Sequence, residues 1–334
     1  MYDTLKEIIE AAEHIIILQA DNPDADSLGS ALALEQLLGN LGKTVSLYGG
    51  VDTPTYLRYL SGWDRVSSEL PQKFDASIIV DASTLSLFEK LSTSGQQGWI
   101  ASKPCIVLDH HETTDDSIYF ANTVINQPEL SSTGELIFQI ADSLGWTIDS
   151  IAATNIMSAI LGDTQGLTNE LTTANTYRIM ATLTDFGANR TQLEELRREF
   201  SKMDARIFKY KAALIDRTEL HHENQIAIVT IPQSEINEFS PLYNPAPLIQ
   251  GDMLQTLGVK IAIVLKHYDN GKVLASIRAN APIAAELAAS FGGGGHSYAS
   301  GFKIDSTNDF LGVKTNCIQK TIDLLNEFAA KESA

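Results

Sequence analysis

The stretch HIIILQADNPDADSLGSALALEQLLGNL, residues 14–41, decides the fold. Residues 14–18 form a near-continuous apolar run, which is typical of a strand buried on both faces of a parallel sheet. Residues 27–41 have the pattern of a helix. The turn between them contains Asp24 and Asp26, so the stretch predicts a strand–turn–helix unit with an acidic turn.

The remainder of the first half continues this alternation. Apolar runs of strand length lie at 44–48, 76–80 and 105–108, and helical patterns lie at 132–144, 149–161 and 173–186. Short apolar strands that alternate with helices indicate an α/β fold with an open parallel sheet and flanking helices.

The chain length of 334 residues suggests about two domains. A charged segment with few helix breakers follows the first α/β region, and we predict that it is one long connector helix. Strand and helix patterns then recur at 225–231, 259–267, 272–278 and 282–290. We therefore predict an α/β domain at 1–189, a connector helix at 190–217 and a smaller α/β domain at 218–334.

The composition excludes several classes of protein. Hydrophobic residues make up 44% and charged residues 20%, which is ordinary for a packed globular chain. No apolar run approaches the ~18 residues of a membrane-spanning helix, and the start of the chain lacks the pattern of a signal peptide. Cys105 and Cys317 are too few for a disulfide framework or a cysteine-based zinc motif. We expect a cytoplasmic protein without a membrane partner.

The net charge limits the partners further. The chain has 24 Lys and Arg against 42 Asp and Glu, which gives a formal charge of −18. Such a charge repels polyanions, and binding to long duplex nucleic acid needs many cationic contacts to phosphates. We expect no long duplex partner, whereas a local anion pocket is compatible with this charge.

Acidic and imidazole side chains follow the predicted strands at the point where each strand ends. They are Asp24 and Asp26 after the first strand, Asp81 after residues 76–80, and Asp109, His110 and His111 after residues 105–108. Ligand sites of open α/β sheets lie at the carboxyl ends of the strands. The sequence therefore predicts that these side chains meet at one edge of the sheet.

Carboxylates that lie so close repel one another, and a divalent cation removes this cost. Mixed oxygen and imidazole ligands suit Mn²⁺, with Mg²⁺ or Co²⁺ as weaker candidates. Two ions about 3.5–4 Å apart would generate hydroxide and bind a phosphoryl group. A single aspartate at a strand end is more often a turn former or helix cap. The paired histidines after Asp109 favour a metal site.

Four consecutive glycines, Gly292–Gly295, precede His296 in the second half. Glycine permits backbone conformations closed to other residues, and successive exposed amides form a nest for an anion. His296 and Arg278 could add charge-assisted contacts. A flexible linker is the alternative for such a run. No Gly-Lys-Ser/Thr follows it, and Gly29 lacks a G-x-G-x-x-G context, so neither a P-loop nor a dinucleotide fingerprint is present.

These motifs together resemble the DHH phosphoesterase superfamily, and the subgroup of NrnA-type nanoRNA exonucleases and pAp phosphatases in particular. The matching segments are NPDADSLGS at 22–30, Val80-Asp81, Asp109-His110-His111, GDTQG at 162–166, and FGGGGHSYASGF at 291–302, which is similar to the DHH-associated domain. Their order and spacing fit over nearly the whole chain.

The resemblance implies roles for individual residues. One metal ion would be held by Asp26, Asp81, His110 and Asp163, and a second by Asp24 with Asp81 as the bridge. The residues implied in catalysis are Asp81, Asp109, His110 and His111. The residues implied in substrate binding are His111, Arg278, Gly293, Gly294, Gly295 and His296.

The chain departs from the subgroup at Ala20. Relatives usually carry a metal-ligating histidine four residues before the first aspartate of the motif, and alanine cannot bind a metal. Either Asp21, Asn22 or water replaces that ligand, or the second ion binds weakly or only with substrate. The RecJ-like branch of the superfamily also lacks this histidine. We therefore expect one or two ions.

The resemblance implies a Mn²⁺-dependent phosphodiesterase or phosphatase that acts on short oligoribonucleotides, linear dinucleotides or pAp. A pyrophosphatase or exopolyphosphatase is one alternative, although the run Gly292–Gly295 differs from the basic second domain of the pyrophosphatases. A nucleotide-binding protein with weakened catalysis is another, because of Ala20. A homodimer is implied by resemblance alone.

Overall fold

The computed structural model describes residues 2–111, 117–240 and 242–332. The chain divides into two compact units, Met1–Lys202 and Met203–Ala334. The division falls inside the predicted connector, while the three domain bounds given above stay predictions. Among the described residues, no helix combines the length and the apolar character that a membrane crossing requires.

The first unit is built on a parallel sheet. Its strands are β1 (His14–Gln19), β2 (Thr44–Gly49), β3 (Val66–Ser67), β4 (Ala76–Val80), β5 (Cys105–Asp109) and β6 (Thr123–Asn126). Its helices are α1 (Asp3–Ala11), α2 (Ala25–Asn40), α3 (Glu89–Thr93), α4 (Gln97–Ala101), α5 (Thr133–Leu144), α6 (Ser150–Asp163), α7 (Ala174–Asp185) and α8 (Arg190–Phe200). Short 3₁₀ helices span Thr55–Leu57, Trp63–Arg65 and Leu85–Leu87.

The strand order β3-β2-β1-β4-β5-β6 places the topological switch point between β1 and β4. Each neighbouring pair in this sheet is parallel, so the carboxyl ends of β1, β4 and β5 lie side by side. The predicted α/β class with an open parallel sheet is confirmed. The strands are apolar on both faces because helices cover both faces: Ile15 and Ile17 pack in one core cluster, and Ile16 and Leu18 in another.

Close helix packing holds one side of this sheet together. A Cβ on Gly29 of α2 would lie 2.8 Å from the carbonyl oxygen of Asn155, and one on Gly134 of α5 would lie 2.5 Å from the Cβ of Ala159. Glycine therefore lets α2 and α5 approach α6 closely. This contact brings the first turns of α2 and α5 to the carboxyl edge of the sheet.

The connector is helical but is not the single helix that we predicted. α8 ends at Phe200, and a second helix, α9 (Ala205–Asp216), begins after Asp204. Asp204 is extended, with φ −57° and ψ 146°, and its side chain accepts a hydrogen bond from the amide of Arg206 at 2.8 Å. This capping restarts the helix, so the continuous-helix prediction is wrong.

The second unit contains a mixed sheet. Its strands are β7 (Glu219–His221), β8 (Ile226–Pro232), β9 (Ile261–His267), β10 (Val273–Ala279), β11 (Gly294–His296) and β12 (Ala299–Ile304), in the order β11-β12-β10-β9-β8-β7. Its other helices are α10 (Gln233–Phe239), α11 (Pro245–Gln255), α12 (Ala284–Ala289) and α13 (Phe310–Glu332). Only the pair β8 and β9 is parallel among the described strands of this sheet.

Candidate metal centre

Four predicted ligands converge at the carboxyl edge of the first sheet. Asp26 lies in the first turn of α2, Asp81 follows β4, His110 follows β5, and Asp163 is the last residue of α6. The Nε2 atom of His110 lies 3.5 Å from Oδ2 of Asp26, 3.6 Å from Oδ1 of Asp81 and 2.8 Å from Oδ2 of Asp163. One imidazole nitrogen is thus surrounded by three carboxylates.

The environment of His110 fits a metal ligand. Its Nδ1 atom lies 3.3 Å from the carbonyl oxygen of Leu130, which can only accept, so Nδ1 carries a hydrogen and Nε2 is left to bind a metal or a second proton. Nε2 is buried and makes no well-aligned hydrogen bond to any described residue. A buried imidazole nitrogen within 3.6 Å of three carboxylates has the surroundings of a divalent cation site.

The electrostatics of the metal-free site favour bound protons. Burial and the nearby charge of Asp163 raise the pKa of Asp26 to about 7. Burial and the charge of Asp26 raise the pKa of Asp81 well above its usual value. Burial disfavours the charged imidazole of His110, but the carboxylates of Asp163 and Asp26 outweigh it and raise its pKa to about 9. A cation would displace these protons and remove the repulsion.

Two groups of side chains bring three ligand atoms within 4.8 Å of one another: Asp26 with His110 and Asp163, and Asp81 with His110 and His111. His110 belongs to both groups, whereas the resemblance implied Asp81 as the bridge between two ions. The geometry supplies candidate metal sites of Asp and His residues, and the assignment of individual ligands to ions stays a prediction.

Asp24, the predicted ligand of the second ion, lies in neither group. It is exposed, and its Oδ1 atom accepts a hydrogen bond of 2.9 Å from the amide of Ser27 at the start of α2. Asp21, one of the residues considered in place of the histidine absent at Ala20, accepts a hydrogen bond at Oδ2 from the amide of Lys90 at 2.8 Å. The role of Asp24 at a second ion stays a prediction.

Asp109 orients its histidine neighbour. It is fully buried, and its Oδ1 atom lies 2.8 Å from Nδ1 of His111 and accepts from the amide of His110 at 2.8 Å. Burial opposes the charge of Asp109, but the hydrogen bonds from His111 outweigh it and lower the pKa of Asp109. The same contact raises the pKa of His111, whose side chain is 49% exposed. Asp109 therefore holds the half-exposed imidazole of His111 beside the centre.

The amino terminus of α5 holds two of the carboxylates, which the sequence analysis did not predict. The amides of Thr133 and Gly134 donate to Oδ2 and Oδ1 of Asp26 at 2.7 and 3.0 Å. The hydroxyl of Thr133 donates to Oδ1 of Asp81 at 3.1 Å. Helix amino termini stabilise anions, so α5 fixes Asp26 and Asp81 in position.

The start of α5 is itself anchored by a buried acid. Ser132 caps the helix by accepting from the amide of Glu135 at 3.0 Å. The Glu135 carboxylate accepts from Ser131 and, at 3.0 Å, from the hydroxyl of Thr176. The signal in the sequence was the spacing of Ser132 and Glu135, which marks a helix start but does not show what that start will contact.

Backbone strain aims one of the ligands. Asp81 has φ 59°, in the left-handed region that a residue with a side chain seldom adopts. Such strain persists where the surrounding structure determines the conformation, and it is common at functional sites. The turn directs the carboxylate of Asp81 toward His110 and Thr133.

The glycines of the second unit that were predicted to bind substrate are not all arranged as predicted. Arg278 lies exposed on β10, and the side chain of His296 falls outside the part of the chain that is described. The amides of Gly292 and Gly293 donate to the carbonyl oxygens of Ala289 and Ala288 at 3.0 and 2.9 Å. The predicted nest is therefore wrong for these two amides, because they close the end of α12.

Gly294 and Gly295 pair with β12 instead of forming an open loop. A Cβ on Gly293 would lie 2.2 Å from the carbonyl oxygen of Gly301, so glycine is needed there for close approach to that strand. The substrate-binding roles of Gly293, Gly294, Gly295, Arg278 and His296 stay predictions.

Comparisons with known proteins agree with the two units. Residues 14–160 match the DHH family, N-terminal domain, and residues 246–331 match the DHHA1 domain. The uncharacterized protein MG371 homolog of Mycoplasma pneumoniae is 25% identical over 320 residues, which cover 93% of this chain and 90% of that protein. The bifunctional oligoribonuclease and PAP phosphatase NrnA of Thermus thermophilus is 25% identical over 299 residues, 88% of this chain and 86% of that protein.

The fold has a counterpart among solved structures. An exopolyphosphatase-related protein from Bacteroides fragilis superimposes with a TM-score of 0.84 at 22% identity and covers 97% of both chains. At this identity the likeness concerns the fold alone.

Proposed function

The chain belongs to the DHH family of phosphoesterases and carries a DHHA1 domain, and on this premise we propose that it hydrolyses short oligoribonucleotides, linear dinucleotides and pAp to mononucleotides with Mn²⁺. The observation that carries the proposal is the convergence of Asp26, Asp81 and Asp163 on the buried Nε2 atom of His110. The named activities of the Thermus thermophilus relative support the choice of substrates.

The chain's own residues account for much of the chemistry. Asp26, His110 and Asp163 would hold the better-defined ion, with Asp81 beside them. A bound divalent ion supplies hydroxide at neutral pH and stabilises charge on a phosphoryl group. Asp109 orients the imidazole of His111 and raises its pKa, which favours the protonated form that can donate to the substrate phosphate. Thr133 holds Asp26 and Asp81 in place through its amide and its hydroxyl.

Short substrates also agree with the charge of the molecule. A net charge of −18 opposes a long polyanion, whereas a short oligonucleotide needs only a local positive site. In the second unit, Arg278 and the segment from Gly293 to His296 are proposed to bind substrate.

The test uses the full chain with Mn²⁺ and 5′-pApA, and release of AMP is the expected result. Chain lengths from two to about ten nucleotides, together with pAp and pyrophosphate, form the substrate panel. Absence of turnover with Mn²⁺, Mg²⁺ and Co²⁺ would contradict the proposal. Phosphate release from pyrophosphate far faster than from any nucleotide would favour the pyrophosphatase alternative.

A second candidate is a nucleotide-binding protein with weakened catalysis. It is favoured by Ala20 and by the exposed position of Asp24, which leave the second ion with few ligands. Counting bound Mn²⁺ by calorimetry, together with the hydrolysis assay, separates the candidates. One ion per chain without hydrolysis supports the binding protein, and hydrolysis with either stoichiometry supports the enzyme.

A further inference from the structure

A cavity of about 420 Å³ in the first unit borders the turns that carry the metal-centre aspartates. Ala25, between Asp24 and Asp26, and Gly162, which precedes Asp163, both line it. A Cβ on Gly162 would lie 2.7 Å from the Cβ of Ala25, so the two turns touch and form one wall. This volume lies within the range of ~300–1,000 Å³ typical of small-molecule sites.

The cavity is also lined by two aromatic rings, of Tyr56 and Tyr59, and by two guanidinium groups, of Arg190 and Arg197. Tyr59 is buried, and its hydroxyl lies 2.8 Å from the hydroxyl of Ser158, so its ring is fixed. Tyr56 also lines the cavity, and 47% of the residue is exposed. Such rings give planar faces on which a nucleobase can stack.

The charges of the lining are net positive although the whole chain is acidic. Glu194 faces Arg197, which donates two hydrogen bonds of 2.8 Å to it, and Arg197 thereby lowers the pKa of Glu194 to about 2. Arg190 makes a single weak hydrogen bond of 3.4 Å, to the carbonyl oxygen of Gly166, among the described residues. Most donors of Arg190 therefore remain for an anion.

We propose that this Tyr56–Arg190 cavity binds one nucleoside monophosphate unit, with the base against Tyr56 and the phosphate on Arg190. None of the metal-centre side chains is among its described lining residues, but it borders the turns that carry Asp26 and Asp163, so it would hold the part of a substrate next to the scissile bond or a mononucleotide product. The nucleotide class rests on the proposed function, whereas the aromatic and cationic lining is a property of the cavity itself.

The test is calorimetric titration of the full chain with AMP in the absence of divalent ions. Tyr56→Leu and Arg190→Gln should each weaken AMP binding roughly tenfold, through loss of stacking and of a charge-assisted hydrogen bond. Arg198→Gln is the matched control, because Arg198 lies on the same helix and binds the same Glu194 but does not line the cavity. It should leave AMP binding unchanged.

Two smaller probes divide the site. Adenosine binding should respond to Tyr56→Leu and not to Arg190→Gln, and inorganic phosphate binding should do the reverse. Tyr56→Phe should retain AMP binding, which shows that the ring is what matters even if Tyr56→Leu folds poorly. Equal effects of Arg190→Gln and Arg198→Gln, or AMP binding that ignores both residues, would overturn the proposal.

Steady-state kinetics with Mn²⁺ keep this inference separate from the proposed function. If the enzyme turns over 5′-pApA, Tyr56→Leu should raise KM with little change in kcat. If no substrate is hydrolysed but AMP binding still depends on Tyr56 and Arg190, the cavity assignment stands and the proposed function fails.

Discussion

The candidate metal centre of the first unit and the glycine run of the second differ in the role of their motif residues. At the carboxyl edge of the first sheet, three carboxylates from separate elements lie within 3.6 Å of the buried Nε2 atom of His110. In the glycine run, Gly292 and Gly293 close α12, and the next residues pair with β12. Carboxylates that converge on one buried nitrogen repel one another and so indicate a bound cation, whereas the glycines of the second motif are explained largely by packing.

Removal of His110 should have the largest effect on the candidate metal centre. His110→Ala deletes the residue that both candidate ligand groups share. Removing a group that only hydrogen-bonds to a metal ligand already lowers metal affinity about 10–100-fold. We expect Mn²⁺ affinity and 5′-pApA turnover to fall by more than about 100-fold. The control is His14→Ala, at the amino end of β1. Equal Mn²⁺ affinity of the two variants would remove His110 from the centre.

Mn²⁺ binding should strengthen as pH rises. Folding raises the pKa of Asp26 from 3.8 to about 7 and that of His110 from 6.5 to about 9. The metal-free folded state then holds more protons than the unfolded state, so its stability falls as pH rises through these windows. The ion displaces those protons. The difference in Tm with and without Mn²⁺ should therefore widen between about pH 6 and about pH 8, and a constant or shrinking difference would contradict the account.

Thr133→Val should act more weakly and on metal binding alone. The change removes the hydroxyl that donates to Asp81 but preserves the shape of the side chain and the amide that donates to Asp26. Mn²⁺ affinity should fall roughly tenfold, as for other groups that orient a ligand. Thr154→Val, which loses only a bond within α6, should leave affinity unchanged. Similar affinities in the two variants would limit Thr133 to a structural role.

Gly293→Ala should have the smallest effect on the metal centre and a local effect on stability. Its Cβ would lie 2.2 Å from the carbonyl oxygen of Gly301, and such overpacking typically costs about 1–3 kcal/mol. Gly294→Ala is the control, since no atom lies within 4 Å of the Cβ it would add. Denaturant unfolding measures both, and Mn²⁺ affinity should be the same in each. Equal stability of the two variants would contradict the packing explanation.

The sequence was sufficient to predict the first sheet and the convergence of acidic residues at its carboxyl edge. Buried apolar runs predicted β1, β4 and β5. Because β4 and β5 are neighbouring parallel strands, the residues that follow them, Asp81 and His110, lie close together. Thr133 could not be found this way, because its role depends on where the start of α5 packs. Asp204, the capping residue of α9, marks the break in the connector. It was overlooked because the whole segment is rich in charged residues.

The glycine run and Ala20 show the limits of reading motifs. Four glycines predict conformational freedom, but whether the amides face a ligand or a neighbouring strand is decided by tertiary packing around Gly293. Ala20 indicated a missing ligand, and only the structure shows that Asp21 is engaged with the amide of Lys90. Functional assignment of single residues therefore needs the packed environment.

Anomalous diffraction from crystals of the full chain grown with saturating Mn²⁺ tests the central claim most directly. The account predicts a manganese peak within coordination distance of Nε2 of His110 and of the carboxylates of Asp26 and Asp163. An empty centre at saturating Mn²⁺, with the imidazole still in contact with Asp163, would contradict it.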